Sequence, residues 1–350
     1  MDSVIVCVHG RSEQWHLKDQ VLADFQGGIL EGLGRLPAPV AIGRERILLA
    51  FYGDLFLPDA ALTAGAGGTA AQRLNAPMAW SWSGEAGSYR GSTVQSLQQS
   101  ALRRGHTAVD PLYQINVARA ILREASRRGL VESRGGVGTG EPGLHALAPY
   151  SAGGLVWLHS LLVHILQGLE QIFGAPRELL RLFVSDVDLY LHNAALRTQV
   201  MGRLLALLRQ QAGRSIIVVA HSLGTVVAYD VLNTHREIPI TAFITLGSPL
   251  GLSPFIYQEL LPPVPPGQKH PFPSNVATWQ NFYDPNDIVA LVSALAPLFP
   301  GPPGQAVICT PVQNNPADPH SLTGYLIQRA VAQAINNALL SKTPLPSKLK

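Results

Sequence analysis

Charge is scarce in this sequence. Only 14% of the residues are Asp, Glu, Lys or Arg, against 47% hydrophobic, where soluble chains typically carry about 25% charged residues. Much of the chain's surface is therefore expected to be buried or interfacial. The sign balance is also thin: 26 basic and 23 acidic side chains leave a formal charge of +3, too small an excess to track a phosphate backbone. Nucleic acid is not expected as a partner, whereas peripheral contact with a membrane surface is compatible with this charge. Cysteine is scarcer still. Cys7 and Cys309 both sit in apolar runs that read as interior strands, where a free thiol behaves as a small hydrophobe. We read them as packing residues in a reducing compartment.

Other absences narrow the function. Metal-ligand spacings of the H-E-x-x-H and C-x-x-C kind do not occur, nor do tandem repeats, so neither a metal nor a cofactor is expected. Met1 leads into Val4-Ile5-Val6 without the basic n-region or small-residue cleavage site of a signal peptide, and the expected location is cytoplasmic. The longest uncharged run, Ala152 to Leu169, is nearly long enough for a membrane span. Ser160, His164, Gln167 and Gln171 recur along one side of it, however, which predicts an amphipathic helix over Ala152 to Phe173.

What is present is a set of short Val- and Ile-rich runs: Val4 to Val8, Ile47 to Tyr52, Ile216 to Ala220, Ala242 to Leu246, Val276 to Tyr283 and Ala306 to Cys309. They lack strict alternation, as strands covered on both faces of a parallel sheet do. Helical segments lie between them. Leu196 to Gln211 carries Leu204, Leu205, Leu207 and Leu208 and stops before Gly213, and the stretch after Gly224 continues with Val227, Ala228, Val231 and Leu232 on one face. Strands alternating with helices predict an α/β fold with an open, mostly parallel sheet and right-handed crossovers.

Residues 59 to 182 interrupt the pattern and read as a large helical insertion in a core made of residues 1 to 58 and 183 to 341, with 342 to 350 a flexible tail. Within the insertion, Ala118, Ile121, Leu122 and Ala125 mark an apolar helix face, opposite Arg119, Arg123 and Arg127. Gly138, Gly140 and Gly143 have dinucleotide-loop spacing, but a helix precedes them and Pro142 interrupts them. That context favours a plain loop.

The stretch Ser215 to Gly224 carries the chemistry. A buried strand runs through Ala220-His221-Ser222-Leu223-Gly224 into a helix, a turn so sharp that residues two positions either side of the serine must be small. Ala220 and Gly224 meet that need. The turn sets the Ser222 hydroxyl near a helix amino end, where free N–H groups favour developing negative charge, and Leu223 would donate one of them to an oxyanion.

With A-H-S-L-G in place of the commoner G-x-S-x-G, the segment resembles the α/β-hydrolase superfamily, especially its lipase- and esterase-like members. Two further elements extend the resemblance. The strand end Val8-His9-Gly10-Arg11 is similar to the lipase element whose residue after His-Gly gives a second oxyanion N–H, which implies Arg11. Thr245-Leu246-Gly247-Ser248-Pro249 is similar to the Gly-Thr-Pro-type turn beside the nucleophile, without implying a catalytic role for Ser248. The resemblance also implies the chain order serine, acid, histidine. Asn286-Asp287-Ile288-Val289 looks like the N-D-I-V segment bearing the catalytic aspartate of some fungal lipases. That favours Asp287 over Asp284, which precedes a proline. His320, after the last strand and before Leu322, Leu326, Ala330 and Ile335 of a closing helix, is the implied base.

The expected function is a serine esterase that cleaves a hydrophobic or lipid acyl ester through an acyl-enzyme, with the insertion as a lid or substrate-binding cap. Two alternatives stay open: a thioesterase or acyltransferase using the same three residues, and a non-catalytic hydrolase-like module that binds a protein.

Overall fold

A computed structural model describes residues 3–10, 16–56, 121, 177–253 and 255–341. Six strands, β1 (Ser3–Val8), β2 (Ile47–Ala50), β3 (Ser215–His221), β4 (Ala242–Leu246), β5 (Trp279–Tyr283) and β6 (Val307–Pro311), form one sheet in the order β2-β1-β3-β4-β5-β6. Every pairing in it is parallel. The helices are α1 (Lys18–Gly34), α2 (Arg177–His192), α3 (Ala194–Gln210), α4 (Leu223–Thr234), α5 (Leu322–Leu326) and α6 (Arg329–Leu340). Asn193 separates α2 from α3 and caps the latter, its side chain accepting Leu196 N–H at 2.9 Å.

Side chains of the strands alternate between two cores, because successive residues of a strand point to opposite faces. Val4, Val6 and Val8, with Ile216, Val218, Ala220, Phe243 and Trp279, pack with α2, α3 and α4. Ile5, Cys7, Ile217, Val219, Ile244 and Phe282 pack with α1, α5 and α6. This three-layer arrangement explains why the central runs carry no polar alternation: both faces are covered. Ile121, on the apolar face expected for its helix, is buried in the first core.

The edges depart from the sequence reading. The strand expected over Ala306 to Cys309 is β6, which pairs only with β5, so Ile308 is 57% exposed. Cys309 is half-buried; it is not the interior residue expected, because among the described residues no further strand pairs with β6. Cys7 is fully buried, and burial raises its thiol pKa well above the ordinary value. The run from Val276 to Tyr283 makes an isolated bridge at Val276 and a ladder only from Trp279. The expected closing helix is two helices, and Ala330 is exposed near the start of α6.

The boundary expected after residue 182 falls inside α2, which begins at Arg177. Nearly all of the expected insertion lies outside the described residues, including Ala152 to Phe173, the arginine stripe and Gly138, Gly140 and Gly143; so does the tail from 342. Among the described residues, no helix is long and apolar enough to cross a membrane.

Candidate active site

Strand order reverses between β1 and β3, whose carboxyl ends flank the crevice where open α/β sheets place their ligands. Ser222 stands there, between the end of β3 and the start of α4. Its backbone is at φ 54°, ψ −131°, and among the described residues it is the one non-glycine with positive φ. Such a conformation costs about 1–3 kcal/mol and persists because its surroundings fix it. Ser222 N–H donates to Leu246 O at 3.0 Å, and its carbonyl accepts Thr225 N–H at 2.9 Å and Thr225 Oγ1 at 2.7 Å. Thr225 in turn bonds Ser248 Oγ at 2.9 Å, so Ser248 is occupied in bracing the turn.

Two glycines allow this packing. A Cβ on Gly224 would lie 2.3 Å from His9 O and 2.5 Å from Val8 O, and one on Gly10 would lie 2.8 Å from Ser222 Cβ. Side chains at either place would push β1 away from the turn.

His320 lies in the loop between β6 and α5. Its Nδ1 meets Asp287 Oδ2 at 2.8 Å. With an ionised carboxylate this contact fixes the neutral ring as the Nδ1–H tautomer and leaves Nε2 as an acceptor. Among the described residues, Ser222 Oγ and His320 Nε2 are both buried polar atoms without a hydrogen-bond partner, so the two are not bonded to each other. Gly247, at φ 55°, shows how closely the groups converge: it follows the residue that binds Ser222 N–H, and a Cβ on it would lie 2.8 Å from Asp287 Oδ2 and 3.0 Å from His320 Nδ1.

The carboxylates differ in their partners. Asp287 accepts Val289 N–H at 2.9 Å on Oδ1, and its Oδ2 receives both His320 and the Tyr325 hydroxyl, the latter at 2.7 Å. Asp284 instead accepts Asn286 N–H at 2.7 Å on Oδ1 and Asn314 N–H at 2.5 Å on Oδ2. Asn314 Nδ2 then bonds Pro319 O at 2.9 Å and Ser321 O at 3.0 Å, gripping the loop on both sides of His320. His221 Nε2 holds the His320 carbonyl between them at 2.9 Å.

The β1 end is fixed by His9. Its Nδ1 meets Gly10 O at 2.7 Å, its Nε2 accepts Tyr52 N–H at 3.0 Å, and its carbonyl accepts the Tyr52 hydroxyl. Burial lowers its pKa to about 4, against smaller opposing effects of the Gly10 hydrogen bond and Asp54. It is a neutral structural histidine. Leu223 is the first residue of α4, so its N–H has no acceptor within the helix. Arg11 lies outside the described residues.

Tyr325, Asn314, Thr225 and the contact made by His221 were not foreseen from the sequence. They act across 3 to 99 positions of chain, and the only sequence signal is their proximity to Ser222 or His320. Among the described residues no cluster of His, Cys, Asp and Glu could hold a metal ion. No family model, curated protein or solved structure matches this chain.

Proposed function

We propose that this protein is a serine hydrolase of the α/β-hydrolase type that cleaves a carboxylic ester, with a hydrophobic acyl group, through an acyl-enzyme. The observation that carries the reading is the strained Ser222 at the same sheet edge as the His320–Asp287 pair, with Oγ and Nε2 unpartnered among the described residues. A serine hydroxyl is a weak nucleophile at neutral pH and needs a base oriented by a third group. In the proposed cycle, Ser222 Oγ attacks the acyl carbonyl as His320 Nε2 takes its proton. The imidazolium, stabilised by Asp287, returns that proton to the departing alkoxide, and water repeats the sequence to release the acid. Leu223 N–H would stabilise the oxyanion, and Arg11 N–H is the proposed second donor.

The apolar composition and the segment from Ala152 to Phe173 support a hydrophobic acyl chain, with residues 59 to 182 as its cap. A panel of p-nitrophenyl esters tests both parts of the proposal. Turnover should rise about fourfold per added methylene until the groove is filled, as about 0.8 kcal/mol per buried CH₂ implies. Ser222→Ala should remove about four decades of it. Full activity in the alanine variant would refute the assignment, and a flat chain-length profile would refute the acyl groove. Thioester substrates, and alcohol competing with water as acceptor, separate the thioesterase and acyltransferase alternatives.

A further inference from the structure

Tyr325 is fully buried in α5, and its hydroxyl joins the two loop carboxylate residues. It donates to Asp287 Oδ2 at 2.7 Å, the same oxygen that meets His320 Nδ1 at 2.8 Å, and it accepts the backbone N–H of Asp284 at 2.8 Å. Burial and the nearby Asp287 charge raise the phenol's pKa well above its ordinary value. The group is therefore protonated, and its single proton points to Asp287. The N–H it accepts polarises the O–H and strengthens it as a donor.

We propose that Tyr325 is a positioning residue which sets the basicity of His320 by sharing the Asp287 oxygen that the imidazole uses. The inference rests on the reading of Ser222 and His320 given above. A donor on Oδ2 stabilises the carboxylate and draws charge from it, so less is available to stabilise a protonated imidazole. The phenol also prevents Asp287 from rotating about its side chain. Among the described residues, the other ionisable groups around His320 are Asp284 on the loop after β5, Asp318 in its own loop and His221 at the end of β3, whose ring centroid lies 4.6 Å from that of His320. None of these shares an oxygen with the imidazole, so the phenol is the direct link.

The test measures the pH dependence of the rate at which the intact chain reacts with a fluorophosphonate. In that reaction Ser222 Oγ bonds to phosphorus, the P–F bond breaks, fluoride leaves and the hydroxyl proton passes to His320 Nε2. Tyr325→Phe should move the acid limb of the profile up by about half to one pH unit and lower the plateau about tenfold. Replacing Tyr325 by 3-fluorotyrosine, a more acidic donor of nearly the same size, should move the limb down, and this variant carries the test alone if the phenylalanine variant does not fold. Limbs that superimpose on that of the wild type overturn the inference, whatever happens to the plateau. Wild-type protein that does not react at any pH overturns the Ser222 reading itself and this inference with it.

Discussion

At the residue scale, two aspartates three positions apart have separate work to do. Asp287 directs one oxygen to His320 and the other to a backbone N–H, while both oxygens of Asp284 accept backbone N–H groups that hold the loops. Asp287→Asn should therefore cost about 10⁴-fold in turnover, because an amide cannot fix the imidazole tautomer in the same way. Asp284→Asn places an amide N–H₂ against a backbone donor and should lower stability by about 1–3 kcal/mol, with a much smaller loss of turnover per folded molecule. Urea unfolding and ester kinetics on both variants check this, and an Asp284 variant that is stable but inactive would reverse the roles. The strained turn at Ser222 was legible in the sequence because its demands are local: an apolar strand, Ala220, Gly224 and a helix. The partners of the two aspartates are not local, since they depend on where the chain after β6 brings Asn314 and His320.

At the element scale, the central strands were legible and α1 was not. β1 to β4 are short apolar runs whose positions follow from composition. The helix Lys18–Gly34 contains Gly27, Gly28, Gly32 and Gly34, and each interior glycine costs a helix roughly 0.5–1 kcal/mol relative to alanine, so its helical pattern is weak. Packing explains two of them. A Cβ on Gly32 would lie 2.4 Å from Leu326 O, and one on Gly28 would lie 2.8 Å from Leu326 Cβ, whereas Gly27 has nothing within 4 Å. The close approach seats α1 on α5, the helix that carries Tyr325. Gly27→Ala should thus stabilise the protein by about 0.5–1 kcal/mol, and Gly32→Ala should destabilise it by about 1–3 kcal/mol through overpacking against backbone. Thermal or urea unfolding of the two variants distinguishes the effects, and equal shifts of the same sign would mean that α1 does not touch α5 so closely.

At the scale of the whole molecule, a parallel sheet covered on both faces collects groups from distant parts of the chain at its carboxyl edge. His9 after β1, Ser222 after β3, Asp287 after β5 and His320 after β6 all gather there. The sheet was legible from its runs of Val and Ile; that β6 is the last strand of the sheet among the described residues was not, because a strand's place in a sheet depends on what lies beside it. The buried His9 makes the stability of this assembly depend on pH. Its pKa is lowered from 6.5 unfolded to about 4 folded, so below pH 6.5 the unfolded chain binds the extra proton and stability falls as pH drops towards 4. The loss should reach roughly 3 kcal/mol across that window. It should be largely absent from His9→Gln when unfolding midpoints of the two proteins are compared from pH 4.5 to 7.5, and parallel curves would show that His9 is not held neutral.

The most direct measurement is mass spectrometry of the intact chain and its peptides after reaction with a fluorophosphonate. A single adduct mapped to Ser222 is expected in the wild type, with none in Ser222→Ala and a rate reduced by at least about three decades in His320→Gln, both variants retaining the wild-type unfolding midpoint. An adduct on another residue, or a folded wild-type chain that takes up no probe, would contradict the assignment of Ser222 as a nucleophile served by His320.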